Sequence, residues 1–383
     1  MSGDLEQEYF VDGMVEEIIT ALCRIRWLFV IARNSSFTYK DRAVDVKQVG
    51  RELGVRYVLE GSVRKAGSRV RITGQLIDAA SGAHIWADRF DGEVRDIFEL
   101  QDEVAASVAG VIEPKLRASE IDRASRKPTE SLDAYDLYLR ALSGIYRYSE
   151  EGFDEANRLL SRALTIDPFY SRAAALLAWS HHLRRTQAWR GVDVDLAVRL
   201  ARRALESARD DPDSLWQAGF TLFMLVGQTD LGATVTERAL LLNPNSATAL
   251  ATRGYICALR NQPEQAIQSF EQALRLSPFD PLGHFMAAGL AIAYLIARRF
   301  QSAIEWADRA LHDQPRSAVA MRPKICALAH LGRLDEARAE LDRLLAASPG
   351  LTIDSFKSYG SSWAPAVMEL YLTGLRLAGL PER

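Results

Sequence analysis

A proline recurs along the C-terminal two-thirds of the chain, in Asp167-Pro168, Asp211-Pro212, Asn243-Pro244, Ser277-Pro278, Gln314-Pro315 and Ser348-Pro349. Successive spacings are 44, 32, 34, 37 and 34 residues. Before most of these prolines stand three residues at fixed offsets: Ala156, Leu160 and Ala163; Gly232, Thr236 and Ala239; Ala266, Phe270 and Ala273; Ala303, Ala307 and Ala310; Ala337, Leu341 and Leu344. Ala197, Ala201 and Ala204 keep the mutual spacing, with three residues inserted before Pro212. Small residues at such intervals let two helix backbones approach closely. A proline cannot continue a helix, so it punctuates each unit. One helix pair cannot bury its apolar face alone, so successive pairs must stack.

This period and internal pattern resemble the tetratricopeptide repeat. The resemblance implies about six repeats over residues 132–349, each of two antiparallel helices, with 350–383 as a C-terminal cap. Val367, Leu370, Tyr371, Gly374, Leu375, Leu377 and Leu380 give that cap its apolar face at helical spacing. The first helix of each repeat lines a concave groove. Counting back from each proline, the inward side chains are Trp179, His182, Gln217, Thr221, Met224, Ala251, Tyr255, Ala288, Ile292, Arg322 and Cys326. The expected partner-binding set is Trp179, His182, Gln217, Thr221, Met224, Tyr255, Ile292 and Arg322. Aromatic side chains dominate binding hot spots, so Trp179 and Tyr255 are candidate anchors for a bound protein or peptide. Packing between repeats is the other role open to them.

Residues 1–120 read differently. Phe10 to Ile25 has helical apolar spacing, and Leu28 to Ala32 is a short apolar run that predicts a buried strand. Asp45 with Gln48 predicts a helix start and Gly54 its end. Tyr57–Lys65 and Arg69–Asp78 predict a hairpin through Gly67-Ser68, followed by a strand over His84–Phe90 on which His84 and Trp86 share a face. A helix from Val94 to Arg117 closes the unit, with a linker over 121–131. The fold class expected is therefore α+β overall: a small N-terminal α/β domain with a mixed sheet, then an all-α solenoid.

The segments Glu6–Phe10, Leu28–Ser36, Tyr57–Val63 and Ile77–Trp86 resemble a region of bacterial multidomain proteins that is similar to the N-terminal domain of TolB. In that group it lies between a signalling domain and a tetratricopeptide array. The upstream domain is a class III adenylate/guanylate cyclase or a winged-helix DNA-binding domain. The closing Gly374–Glu382 resembles the C-terminus of the cyclase-linked members. The resemblance implies a first strand before the segment matching Met1–Asp4 and so a domain without that strand here. It also implies a regulatory role beside a catalytic or DNA-binding head encoded elsewhere.

Chemistry is sparse. There is no Walker-type loop, G-x-S-x-G or H-E-x-x-H. Adjacent His181 and His182 point about 100° apart on a helix and have no ligand at metal spacing. Asp12, Glu16 and Glu17 read as carboxylates at a helix start, and Arg33–Ser36 as a loop that is a candidate anion site. Cys23, Cys257 and Cys326 are widely spaced and read as buried apolar residues. No catalytic residue, metal or cofactor is expected. A formal net charge of -3 carries no basic signature of a nucleic-acid partner. The most apolar stretch, Phe285–Ala297, falls short of the roughly 20 residues of a membrane span, so membrane insertion by this chain is not expected. Self-association is a further expectation. The polar start predicts a cytoplasmic protein, or a periplasmic one if a membrane helix precedes this region.

Overall fold

The computed structural model describes residues 5–25, 27–31, 33–40, 42, 44–66, 69–93, 97–125, 133–208, 210–278, 280–360 and 362–383. The chain divides into two units, Met1–Asp122 and Arg123–Arg383.

The first unit begins with α1 (Leu5–Cys23), a helical turn α2 (Arg33–Ser36) and a 3-10 turn over Phe37–Tyr39. Helix α3 (Val46–Leu53) starts where the Asp45 carboxylate accepts the Lys47 amide at 3.0 Å, and stops at Gly54, which sits at φ 66°. Strands β1 (Tyr57–Ala66), β2 (Arg69–Asp78) and β3 (Ala83–Glu93) form an antiparallel sheet in the order β1-β2-β3. In β2, Val70, Ile72 and Leu76 are buried on one face, where they meet Trp86 of β3 and Met14 of α1. Val104, Val108 and Ile112 of α4 (Ile97–Ser125) close the same core. Tyr57 donates to Glu120 at 2.6 Å, tying the start of β1 to the end of α4. Burial, together with this bond, pushes the phenol up to about 12.

Several expectations are corrected. The sheet is antiparallel throughout its described strands, and residues 28–31 form no strand. Phe29 is 84% exposed, so the apolar run has no second face to bury against. Arg33–Ser36 is a helical turn rather than a loop. Asp12, Glu16 and Glu17 lie in the interior of α1, not at its start, and Asp12 pairs with Lys40 at 2.6 Å. A bulge opposes Leu76 to Trp86 but Ile77 to His84, which turns His84 and Trp86 to opposite faces. Trp86 is buried and His84 exposed. The Gly67-Ser68 turn, Met1–Asp4, Val94 and residues 126–132 lie outside the described residues.

The second unit is a stack of antiparallel helix pairs: α5 (Ala134–Tyr146) with α6 (Glu150–Ile166), α7 (Ser171–Thr186) with α8 (Val194–Ala208), and α9 (Pro212–Val226) with α10 (Thr229–Leu242). Then follow α11 (Ala247–Leu259) with α12 (Pro263–Leu276), α13 (Gly283–Ile296) with α14 (Phe300–Asp313), and α15 (Ala318–His330) with α16 (Leu334–Ala347). The small and apolar residues counted back from each proline are all buried. Gly144 of α5 and Gly152 of α6 show why small residues are needed. A Cβ on either would lie 2.5 Å from the other's carbonyl oxygen.

Helices α17 (Ile353–Tyr359) and α18 (Pro365–Ala378) complete the chain. Helix α18 packs on α15 and α16. A Cβ on its Gly374 would sit 2.8 Å from the Cys326 Cα, so the two backbones are nearly in contact there. Leu377 stays 46% exposed, while the other cap positions of the expected face are buried. Of the cysteines, Cys326 is buried, Cys257 half-buried and Cys23 exposed. Among the described residues no helix is long and apolar enough to cross a membrane.

Candidate functional site

Every first helix from α7 to α15 sends a side chain into one interior cavity. His182 and Thr186 come from α7, Phe220 and Met224 from α9, Tyr255 and Leu259 from α11, Phe285 and Ile292 from α13, and Val319 and Arg322 from α15. The tail of the same chain supplies Tyr359, Trp363 and Tyr371. The remaining space is about 30 Å³, room for a water or two.

Five of the eight expected groove residues, His182, Met224, Tyr255, Ile292 and Arg322, meet at this cavity. The other three are buried without lining it. Trp179 packs edge-on to Trp216 at 5.2 Å and to Phe285 at 6.4 Å. Thr221 donates to the Gln217 carbonyl at 2.7 Å. Tyr255 packs against Phe285 at 4.4 Å and donates to the Phe285 carbonyl at 2.6 Å, which satisfies its buried hydroxyl. In this conformation Trp179 and Tyr255 therefore join one repeat to another.

The interior is narrow enough for distant repeats to touch across it. Arg322 donates through Nη2 to the Thr186 carbonyl at 2.9 Å. The Ala318 amide donates to Gln187 Oε1 at 3.0 Å, and Gln187 Nε2 donates to the Tyr148 hydroxyl at 3.0 Å. Tyr148 in turn packs edge-on against His284 at 4.5 Å. These contacts close the stack on itself.

The tail fills what remains. The Arg322 guanidinium lies over the Tyr359 ring at 5.2 Å and the Phe356 ring at 5.9 Å. Arg185, at the end of α7, lies over Tyr359 at 5.7 Å. Trp363 packs against Tyr371 at 5.3 Å and Phe356 at 5.5 Å. The Ala364 amide donates to the Leu259 carbonyl at the end of α11, at 2.8 Å. The end of the chain folds back over α17, since the Ile353 amide donates to the Pro381 carbonyl at 2.9 Å.

Burial dominates the electrostatics. It holds the His182 imidazole down at about 3, with Arg185 adding to the effect, and His284 down at about 4. It lowers the Arg322 guanidinium and raises the Tyr359 phenol, so Tyr359 is neutral at ordinary pH. His181 has a structural contact, its Nδ1 accepting the Asp193 amide at 3.1 Å. Among the described residues no three His, Cys, Asp or Glu side chains form a metal-binding group.

Sequence reasoning did not find Arg185, Thr186, Gln187, Tyr359 or Trp363. The tail carried a signal in its aromatic spacing: Phe356, Tyr359, Trp363 and Tyr371 follow the last repeat proline closely. Spacing alone does not say that these rings turn inward.

Residues 220–281 and 288–352 match the tetratricopeptide repeat family. The C-terminal region contains tetratricopeptide repeats. The chain is 42% identical over 225 residues to a protein of Rhizobium meliloti (strain 1021) named "Putative adenylate cyclase 3". That match covers 58% of this chain and 38% of the relative, so the chain spans well under half of that protein. Among solved structures, the APC/C hetero-tetramer Cut9-Hcn1 is 19% identical, with a TM-score of 0.47, over 67% of this chain and 48% of that one. A thermophilic tetratricopeptide protein of Thermus thermophilus is 21% identical with a TM-score of 0.39, over 51% of this chain and 98% of that one.

Proposed function

We propose that this chain is a non-enzymatic protein–protein interaction and regulatory module of a bacterial signalling protein, and that a segment of its partner docks in the interior lined by the first helices. The tetratricopeptide repeats carry this reading, because stacked helix pairs present a continuous inner surface built from one side chain set per repeat. Gathering Met224, Tyr255, Ile292 and Arg322 around one cavity supports it further. The N-terminal unit fits a TolB-N-like role as the connector between this module and a signalling head, and the module works in the cytoplasm.

A more specific reading makes the chain the regulatory C-terminal part of an adenylate/guanylate cyclase system, with the catalytic groups on another segment or chain. The 42% identity to the Rhizobium protein favours it. Incubating the chain with ATP or GTP and Mn²⁺ should yield no cyclic nucleotide above a protein-free control. Turnover would overturn the non-enzymatic reading. Docking is tested in cells with a photo-crosslinking amino acid at position 224, on the cavity wall. One defined partner should be captured there, and none by the same group at exposed Leu241. Equal capture at both positions would contradict docking inside the stack.

A further inference from the structure

Among the described residues of the repeat unit Arg184 and Arg322 are buried and Arg172 is half-buried, and two of these three are neutralised. Arg184 pairs with Asp154 at 2.7 Å, and Arg172 pairs with Asp211. Arg322 is 6% exposed, yet no carboxylate pairs with it among the described residues. Its neighbours are the Thr186 carbonyl, the Phe356 and Tyr359 rings and the uncharged Tyr359 hydroxyl, and its Nε–H has no partner. A second guanidinium, Arg185, lies over the same Tyr359 ring. Two cations thus face one neutral phenol. A ring face attracts a cation, but much more weakly than a carboxylate does at close range in a desolvated site. A buried charge without a counter-charge is a costly arrangement.

The occupant of this position is also only locally held. Tyr359 ends the short helix α17 and Trp363 lies between it and the cap helix α18, and the backbone bond from Ala364 to Leu259 ties this segment to the middle repeats. The Trp363 indole N–H and His182 Nδ1, which line the same cavity, are likewise without partners. The tail fills the cavity by shape but supplies no negative charge, and it leaves the Arg322 Nε–H, the Trp363 indole N–H and His182 Nδ1 without partners.

We propose that Tyr359 and Trp363 are an intramolecular stand-in for a partner segment that carries a carboxylate beside aromatic side chains, and that this segment displaces the tail to pair with Arg322 and Arg185. This deepens the interaction reading and rests on it. The aromatic half of the ligand follows from the walls, Phe220, Tyr255 and Phe285. The acidic half follows from the two guanidinium groups. A neutral occupant keeps the site closed without saturating it, and an acidic one exchanges a weak contact for an ion pair.

The test uses the full chain and two labelled peptides spanning residues 353–366, one unchanged and one with Tyr359→Glu. Fluorescence anisotropy is read against the wild type, against a Tyr359→Ala/Trp363→Ala form whose tail is loosened, and against that form with Arg322→Met. The acidic peptide should bind the loosened form at least about tenfold more tightly than the unchanged peptide, as expected for one desolvated ion pair. Arg322→Met should erase the preference. Equal affinities would instead make the site a receptor for a second copy's tail, and would overturn the proposal. Absence of binding, or a preference that survives Arg322→Met, would do the same.

A second comparison avoids the loosened form. Tyr359→Glu and Tyr359→Gln have nearly the same shape, so the Glu variant should melt at the higher temperature near pH 7, and the gap should vanish with Arg322→Met. A lower melting temperature for the Glu variant would sink the idea. Acidic-peptide binding without a cellular cross-link at position 224 would sink the docking function and leave the cavity chemistry standing. The converse result would do the opposite.

Discussion

The two units solve the burial problem in different ways. In the N-terminal unit β2 and β3 meet α1 and α4 in a core around Ile72, Leu76 and Trp86. Its strands pair as two successive hairpins, and a single bulge between Leu76 and Ile77 re-aims a side chain. The C-terminal unit repeats one local solution, with small residues such as Ala266 and Ala273 at the helix–helix contacts. Its non-repeating features lie inside the stack, where Gln187 meets Ala318 and the tail meets Arg322. Repetition makes the scaffold regular, and the departures from it concentrate where the helix pairs face one another. Function is sought in the second unit for that reason.

The largest effect that sharpens this contrast is a cavity at a repeat junction. Phe270 is fully buried, and a Cβ on either Gly254 or Gly289 would collide with its ring. The two glycines are therefore shaped around it, and the site cannot collapse when the ring is removed. Phe270→Ala should cost about 3–5 kcal/mol in urea unfolding. A loss below about 1 kcal/mol would mean that the repeats relax around the hole.

A smaller effect comes from pH. His182 and His284 have folded pKa values of about 3 and about 4, below the ordinary value of 6.5. Between these limits the unfolded chain binds more protons, so stability is full above pH 6.5 and falls as the pH drops towards 4. Melting temperatures measured from pH 7.5 to 4.5 should fall, and His182→Gln should flatten the slope. The same acid slope in that variant would contradict the assignment to the interior histidine. The smallest effect belongs to the first unit, where Asp45→Ala removes the cap of α3 and should cost about 1 kcal/mol. An unchanged melting temperature would show that α3 is held by packing alone.

The same contrast explains what could be read from the residues. The prolines and the small residues counted back from them are local signals, and the helix pairs α5–α6 to α15–α16 follow them. The Asp45 cap and Gly54 stop were legible for the same reason. The run from Leu28 misled, because whether an apolar run becomes a strand depends on a neighbour that can pair with it. His84 and Trp86 misled, because a bulge is a property of two strands together. Counting from the repeat named five residues that meet at the cavity and three, Trp179, Gln217 and Thr221, that are buried without lining it. Closure of the stack could not be counted, since Thr186 meets Arg322 only once the curvature of all intervening repeats is fixed. The tail's entry depends on the same accumulated curvature.

The central claim is that the chain's own tail occupies the interior and yields to an acidic, aromatic segment. Hydrogen exchange at the Ala364 amide reads this most directly, because that amide donates to the carbonyl of Leu259, a residue that lines the cavity. It should be protected in the free chain and should exchange at least about tenfold faster under saturating Tyr359→Glu peptide, while amides of α15 around Arg322 become no less protected. An Ala364 amide that exchanges freely from the start, or one whose protection is unchanged with peptide bound, would contradict the account.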